Sequence, residues 1–190
     1  MDSRQTKRQW RQHLKLVSQQ LVASSQIQSR SAAIMDQLNR LPQLTQAGTI
    51  CVYVSLADEV QTHDWIRSLL VRQSATVAVP YCVDRDLQLV QLTNWSELRP
   101  GRFGILEPDE ALRSDTQRQL AATAIDAFVV PGRAFTNDGL RLGNGWGFYD
   151  RLLQRARPDA FTVGVAFTEQ IVAELPSEPH DVRLQMVVSG

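Results

Sequence analysis

Cysteine, lysine and long apolar runs are what this chain has least of. Its 190 residues include two cysteines, Cys51 and Cys82, too few and too far apart for a disulfide framework or a zinc knuckle. Both lie in apolar runs, where a buried free thiol is expected. No stretch reaches the length that crosses a bilayer, and the first thirty residues carry charges throughout with no apolar block, so no secretory signal is expected. Twenty basic residues balance twenty acidic ones, which excludes a global field drawing the protein to nucleic acid or membrane. Any anion site must be built locally. Lys7 and Lys15 are the only lysines beside 18 arginines; arginine suits bidentate anion recognition, but genome composition explains the excess as well. His13, His63 and His180 show no metal-ligand spacing, and no Ser, His and Asp arrangement points to a nucleophilic triad.

With 43% apolar and 21% charged residues, residues 1–190 read as one soluble domain with a sizeable core, expected to be cytoplasmic and monomeric. Trp10, Leu14, Val17 and Leu21 recur at three- and four-residue spacings, predicting an amphipathic helix over 4–23. Ser24-Ser25 is placed to cap a second helix, with Ile27, Ile34 and Leu38 inward and Pro42 beyond its end. Strands are predicted at Thr49–Val54, Ala75–Val79 (stopping at Pro80), Leu87–Leu92, Ala127–Val130, Phe161–Phe167 and Leu184–Val188. Helices are predicted near 62–73, 115–124 and 148–156, with Thr62 as the N-cap of the first. Trp95 to Asp115 is rich in turn residues and should wrap the surface. This alternation predicts an α/β fold of three layers, a mostly parallel sheet with helices on both faces.

Between Gly139 and Arg151 the chain holds four glycines, two arginines and one carboxylate. Glycine at this density weakens any helix or strand, so the backbone must bend there or approach something closely. Gly143-x-Gly145-x-Gly147 is neither a Walker A loop nor the dinucleotide fingerprint. Taken alone it is open to two readings, a structural loop or an anion-binding concavity at a helix start. Arg141 is expected to supply a mobile positive charge on an exposed loop. Asp150 reads either as a favourable first-turn carboxylate or as a Mg²⁺ ligand. Lys7 and Arg11 share one helix face, which by itself reads as a solvated basic face. Glu59 follows the first strand, where a carboxylate either grips donor groups of a substrate or is simply solvated.

Together these segments resemble the 5-formyltetrahydrofolate cyclo-ligase family. The most specific match is Pro131-Gly132-Arg133-Ala134-Phe135 running into Gly139-Leu140-Arg141-Leu142-Gly143-x-Gly145-x-Gly147-Phe148-Tyr149-Asp150-Arg151. Lys7-x-x-x-Arg11, Ser55-x-x-x-Glu59-Val60-x-Thr62 and Phe103-Gly104-Ile105-Leu106-Glu107-Pro108 agree in order, so the resemblance spans nearly the whole chain. It implies ATP-dependent ring closure of 5-formyltetrahydrofolate to 5,10-methenyltetrahydrofolate, with ADP and phosphate released. On the same ground ATP would be held by Lys7, Arg8, Arg11, Arg141, Leu142, Gly143, Asn144, Gly145, Trp146, Gly147, Phe148 and Tyr149. Val54, Glu59, Gly143 and Gly145 would line the folate pocket, Arg141 and Tyr149 would act in catalysis, and Asp150 would bind Mg²⁺.

Two positions depart from the family pattern. Thr136 stands where the family has an acidic residue, with Asp138 two positions on. A second family carboxylate, assigned to Mg²⁺, aligns with Gln185, and an amide is a poorer ligand for a hard cation; Asp181 is a possible substitute. A rival expectation is therefore a non-catalytic folate- or nucleotide-binding relative with an impaired metal site. An RNA-associated relative is disfavoured by the zero net charge.

Overall fold

Short apolar segments separated by amphipathic ones build the expected layered sheet in a computed structural model of the chain, which describes residues 7, 9–12, 14, 17, 25–101 and 106–190. Arg8, His13, Lys15, Ser24 and the segment 103–105 lie outside the described residues. The described part of α1 (residues 7, 9–12, 14 and 17) is helical, with Leu14 buried and Trp10 packed partly against the same cluster. Helix α2 spans Ile27–Leu38 and buries Ile27, Ile34 and Leu38 as expected. Its N-cap falls on Gln26, because Ser25 takes a φ of 56°, outside the extended region a capping residue adopts. Pro42 opens the short α3 (Pro42–Thr45), a position where its missing N–H is not needed.

Seven strands of the described residues form the main sheet in the order β11-β10-β7-β1-β2-β3-β6. Strands β1 (Thr49–Val52), β2 (Thr76–Val83), β7 (Ala127–Val130), β10 (Phe161–Ala166) and β11 (Met186–Ser189) run parallel, and β3 (Asp86–Leu92) and β6 (Gln119–Leu120) add antiparallel at one side. Side chains alternate across it, as the two-residue strand period requires. Ile50, Val52, Val77, Val79, Val129, Val163 and Val165 share a core with α2 and α4 (His63–Arg72). Cys51, Ala78, Phe128 and Val130 face the opposite way and pack with Leu152 and Leu153 of α6 (Phe148–Gln154). Three layers follow directly. No helix among the described residues is long and apolar enough to cross a membrane.

Three local expectations are corrected. β2 does not stop at Pro80 but runs to Val83, with Pro80 opposite Leu89 of β3. The pairing of β2 with β1 covers Thr76 to Ala78, so Pro80 has a ladder partner on one side and its missing donor is tolerated. Residues 115–124 form no α-helix; β6 and a 3-10 turn at Ala122–Ala124 replace it, since Gln119 and Leu120 pair with the edge of β3. The Trp95–Asp115 region is more regular than a surface wrap, containing β4 (Leu98–Pro100), β5 (Leu106–Pro108) and α5 (Glu110–Ser114).

That region is fastened by Glu97, which accepts from both terminal nitrogens of Arg118 at 2.7 and 2.8 Å and from the Thr93 and Asn94 amides. The Arg118 bonds are the largest cause holding the Glu97 carboxyl down to about 2 from its ordinary 4.5. A depressed carboxylate stabilises the fold above its unfolded pKa, and that contribution disappears as pH falls through the folded one. The urea midpoints of wild type and Glu97→Gln should therefore differ most at neutral pH and converge between pH 4.5 and 2. A constant gap across that window would show that the ion pair contributes nothing.

Candidate active site

The carboxyl ends of β1, β2 and β7 open onto a cavity of about 410 Å³, the place where open α/β sheets bind ligands. The glycine segment reaches it through a hairpin rather than directly from β7: β8 (Ala134–Phe135) pairs with β9 (Arg141–Leu142). Gly139 turns this hairpin at a φ of 90°, and a Cβ there would lie 2.0 Å from the Leu184 carbonyl oxygen. Thr136 is 2% exposed and accepts from the Leu140 amide at 3.0 Å while bonding to Asp138. The departure from the family pattern at Thr136 is thus accommodated inside the turn.

Arg141 and Asp150 face each other across the loop, Nη2 to Oδ1 at 3.0 Å, with side chains 5% and 15% exposed. The guanidinium lies 5.6 Å from the centre of the Tyr149 ring. The expectation of a mobile charge on an exposed loop is corrected: strand pairing and burial fix Arg141. Its Nε is buried without a hydrogen-bond partner among the described residues. Asp150 also accepts from the Val182 amide at 3.4 Å. Burial pushes the Tyr149 phenol well above its ordinary value, so it stays protonated and able to donate.

Helix α1 supplies the opposite wall. Arg11 Nε donates to the Gly143 carbonyl at 2.9 Å, and its guanidinium carbon lies 3.1 Å from where a Cβ on Gly145 (φ 98°) would stand. Lys7 is not on a solvated face: it is 7% exposed, with Nζ 3.0 Å from Glu178 and 2.7 Å from Asp181. These two carboxylates and His180 place ligand atoms within 4.8 Å of one another. Sequence reasoning missed Glu178, and considered Asp181 only as a substitute metal ligand. The only available signal was the cluster Glu178-x-His180-Asp181 itself.

Glu59 enters from the loop after β1. Thr62 is the N-cap residue of α4, as expected, but its side chain makes no capping bond; its hydroxyl instead donates to the Tyr53 carbonyl at 2.7 Å and accepts from the Ser55 amide at 3.2 Å, closing the loop that carries Glu59. Glu59 accepts from the Leu56 amide at 2.9 Å, yet burial raises its pKa. Arg133 bridges this loop to the glycine segment through Asp58 and through Asn144 at 2.7 Å. Gly143, Gly145, Gly147, Leu142 and Phe148 line the same cavity. Trp146 stands at its rim, 72% exposed and stacked on Phe148 at 6.5 Å.

Val54, expected in the folate pocket, and Gln185, aligned with a family carboxylate, are not among the residues that line the cavity. Val54 packs half-buried against the core. Gln185 is exposed at the start of β11, where its amide donates to the Ala160 carbonyl at 3.3 Å; this is the amino end of the parallel strands, away from the cavity. Cys82 is exposed and lines the cavity, contrary to expectation, while Cys51 is buried.

The sequence model of the 5-formyltetrahydrofolate cyclo-ligase family matches residues 3–190. The chain is 32% identical to the 5-formyltetrahydrofolate cyclo-ligase of Haemophilus influenzae, covering 98% of each chain. It is 33% identical to that of Escherichia coli over 78% of this chain and 81% of the relative. The solved structure of Aquifex aeolicus 5,10-methenyltetrahydrofolate synthetase superposes with a TM-score of 0.80 at 25% identity, covering 96% of this chain and 89% of the other. Sequence along the full length and architecture agree: this chain belongs to the 5-formyltetrahydrofolate cyclo-ligase family.

Proposed function

We propose that the chain is an ATP-dependent enzyme that closes 5-formyltetrahydrofolate to 5,10-methenyltetrahydrofolate, working as a cytoplasmic monomer. The observation that carries this reading is the convergence of Lys7, Arg11, Arg141 and the glycine segment on one cavity that also holds the Glu59 carboxyl. Phosphoryl transfer needs positioning and charge neutralisation rather than a covalent protein group, and the cavity offers cations and backbone amides. The two described cysteines are free thiols, which suits a reducing compartment.

In the proposed reaction the formyl oxygen attacks the γ-phosphorus and the bond to ADP breaks. N10 of the folate then attacks the activated formyl carbon and loses its proton. Phosphate departs with the former formyl oxygen. Arg11, Lys7 and Arg141 hold the phosphates, Tyr149 donates from its phenol, and Glu59 accepts from the pterin donors. Asp150 fits Mg²⁺: it is a hard oxygen donor lining the cavity beside the phosphate-binding cations, and Mg²⁺ binds through one or two carboxylates plus phosphate oxygens. The ion would supply further neutralisation of the phosphates. The non-catalytic alternative rests on Gln185, which does not line this cavity.

Purified protein mixed with 5-formyltetrahydrofolate, ATP and Mg²⁺ should develop the near-ultraviolet absorbance of the methenyl product only when ATP is present; no rise would refute the assignment. Arg11→Ala should raise the KM for ATP about 10- to 100-fold, the range of a charge-assisted hydrogen bond, and an unchanged KM would remove Arg11 from the phosphate site. Because burial raises the Glu59 pKa, acidification protonates it early and withdraws the acceptor. The folate KM should therefore climb as pH falls, and Glu59→Gln should show a high KM with little pH dependence. An identical pH profile in the variant would assign the dependence to another group.

A further inference from the structure

We propose that the Arg141–Asp150 pair makes nucleotide and divalent-cation binding mutually dependent, each side chain restraining the other until both ligands are present to separate them. The inference rests on the function proposed above.

Both partners are largely shielded, at 5% and 15% side-chain exposure, so their attraction is poorly screened. A buried charge stripped of its partner is strongly unfavourable. A phosphate arriving alone must draw Arg141 from Asp150 and leaves a carboxylate facing the phosphates. A cation arriving alone must draw Asp150 away and leaves the guanidinium uncompensated. Arriving together, they exchange one internal ion pair for two external ones.

Two features show that Arg141 is poised for such an exchange. Its buried Nε has no acceptor among the described residues, so the guanidinium fork is incompletely used in the present arrangement, and phosphate oxygens suit such a fork. A Cβ on Gly143 would lie 2.6 Å from its Nη1, so glycine at this position leaves the space the guanidinium occupies.

The test measures binding rather than turnover. ATP is titrated calorimetrically into wild type and Asp150→Asn, once with excess EDTA and once with Mg²⁺. The variant should bind ATP in EDTA about 10- to 100-fold more tightly than wild type, the usual span of a coupling between sites, and should gain little from Mg²⁺. Asp150→Ser should behave likewise, with circular dichroism and melting verifying that both variants fold. Metal-free binding by the variants no tighter than that of wild type overturns the coupling while leaving the enzyme assignment intact, provided wild type binds MgATP. Wild type that binds ATP equally well with and without Mg²⁺ also overturns it. Failure of wild type to bind ATP under either condition overturns both.

Discussion

The approach of Gly139 to Leu184 is the contact on which the site depends. The Leu184 amide donates to the Gly139 carbonyl at 2.8 Å, and no side chain fits between the two backbones. This joins the β8–β9 hairpin to the segment leading into β11. One side of the junction fixes Arg141 and Leu142; the other fixes the run from Glu178 to Asp181 that receives Lys7. Phe135 locks the same hairpin from below, fully buried and so close to Gly164 of β10 that a Cβ there would lie 2.5 Å from its ring. Rigid packing beneath a glycine-rich surface is how a fold holds charged groups in register without lining the site with bulk.

Charge in the cavity is balanced rather than positive. Among its described lining residues, Lys7, Arg11, Arg133 and Arg141 are cationic, and Glu59, Asp150, Glu178 and Asp181 carry carboxyls. Lys7 and Arg141 are already neutralised by neighbours, as is Arg133 by Asp58. Whole-chain charge is also zero, so capture of a polyanion has little long-range steering to draw on. Short-range fit between paired groups governs the encounter instead.

The fold was largely readable because each layer leaves a period in the sequence. Ile50 and Val52 against Cys51, and Val77 and Val79 against Ala78, announce buried parallel strands, and Ile34 and Leu38 announce a helix face. What was misread depended on tertiary context. Pro80 looks like a strand end until β2 is known to lose β1 as a neighbour there. Gln119 and Leu120 look helical until β3 offers them an edge. Within the site, the glycines and Glu59 were identifiable from type and position. The burial of Arg141 was not, because an arginine's partners are set by which segments meet, and Asp150 meets it only when α6 folds back. Glu178 was missed for the same reason: Lys7, which gives it meaning, lies 171 positions away.

That separation has a bearing on biosynthesis. Lys7 and Asp181 are 174 positions apart, whereas the glycine segment and β7 lie between them. A growing chain can pair β1, β2 and β7 and form the hairpin while the acceptors for Lys7 are still unmade. The nucleotide wall closes only when the segment around Asp181 has been added, so a truncated chain presents the loop without its clamp. Until then α1 can rest on the hairpin through Leu14 and Arg11, and ligand that binds the completed wall stabilises the finished protein in preference to its precursors.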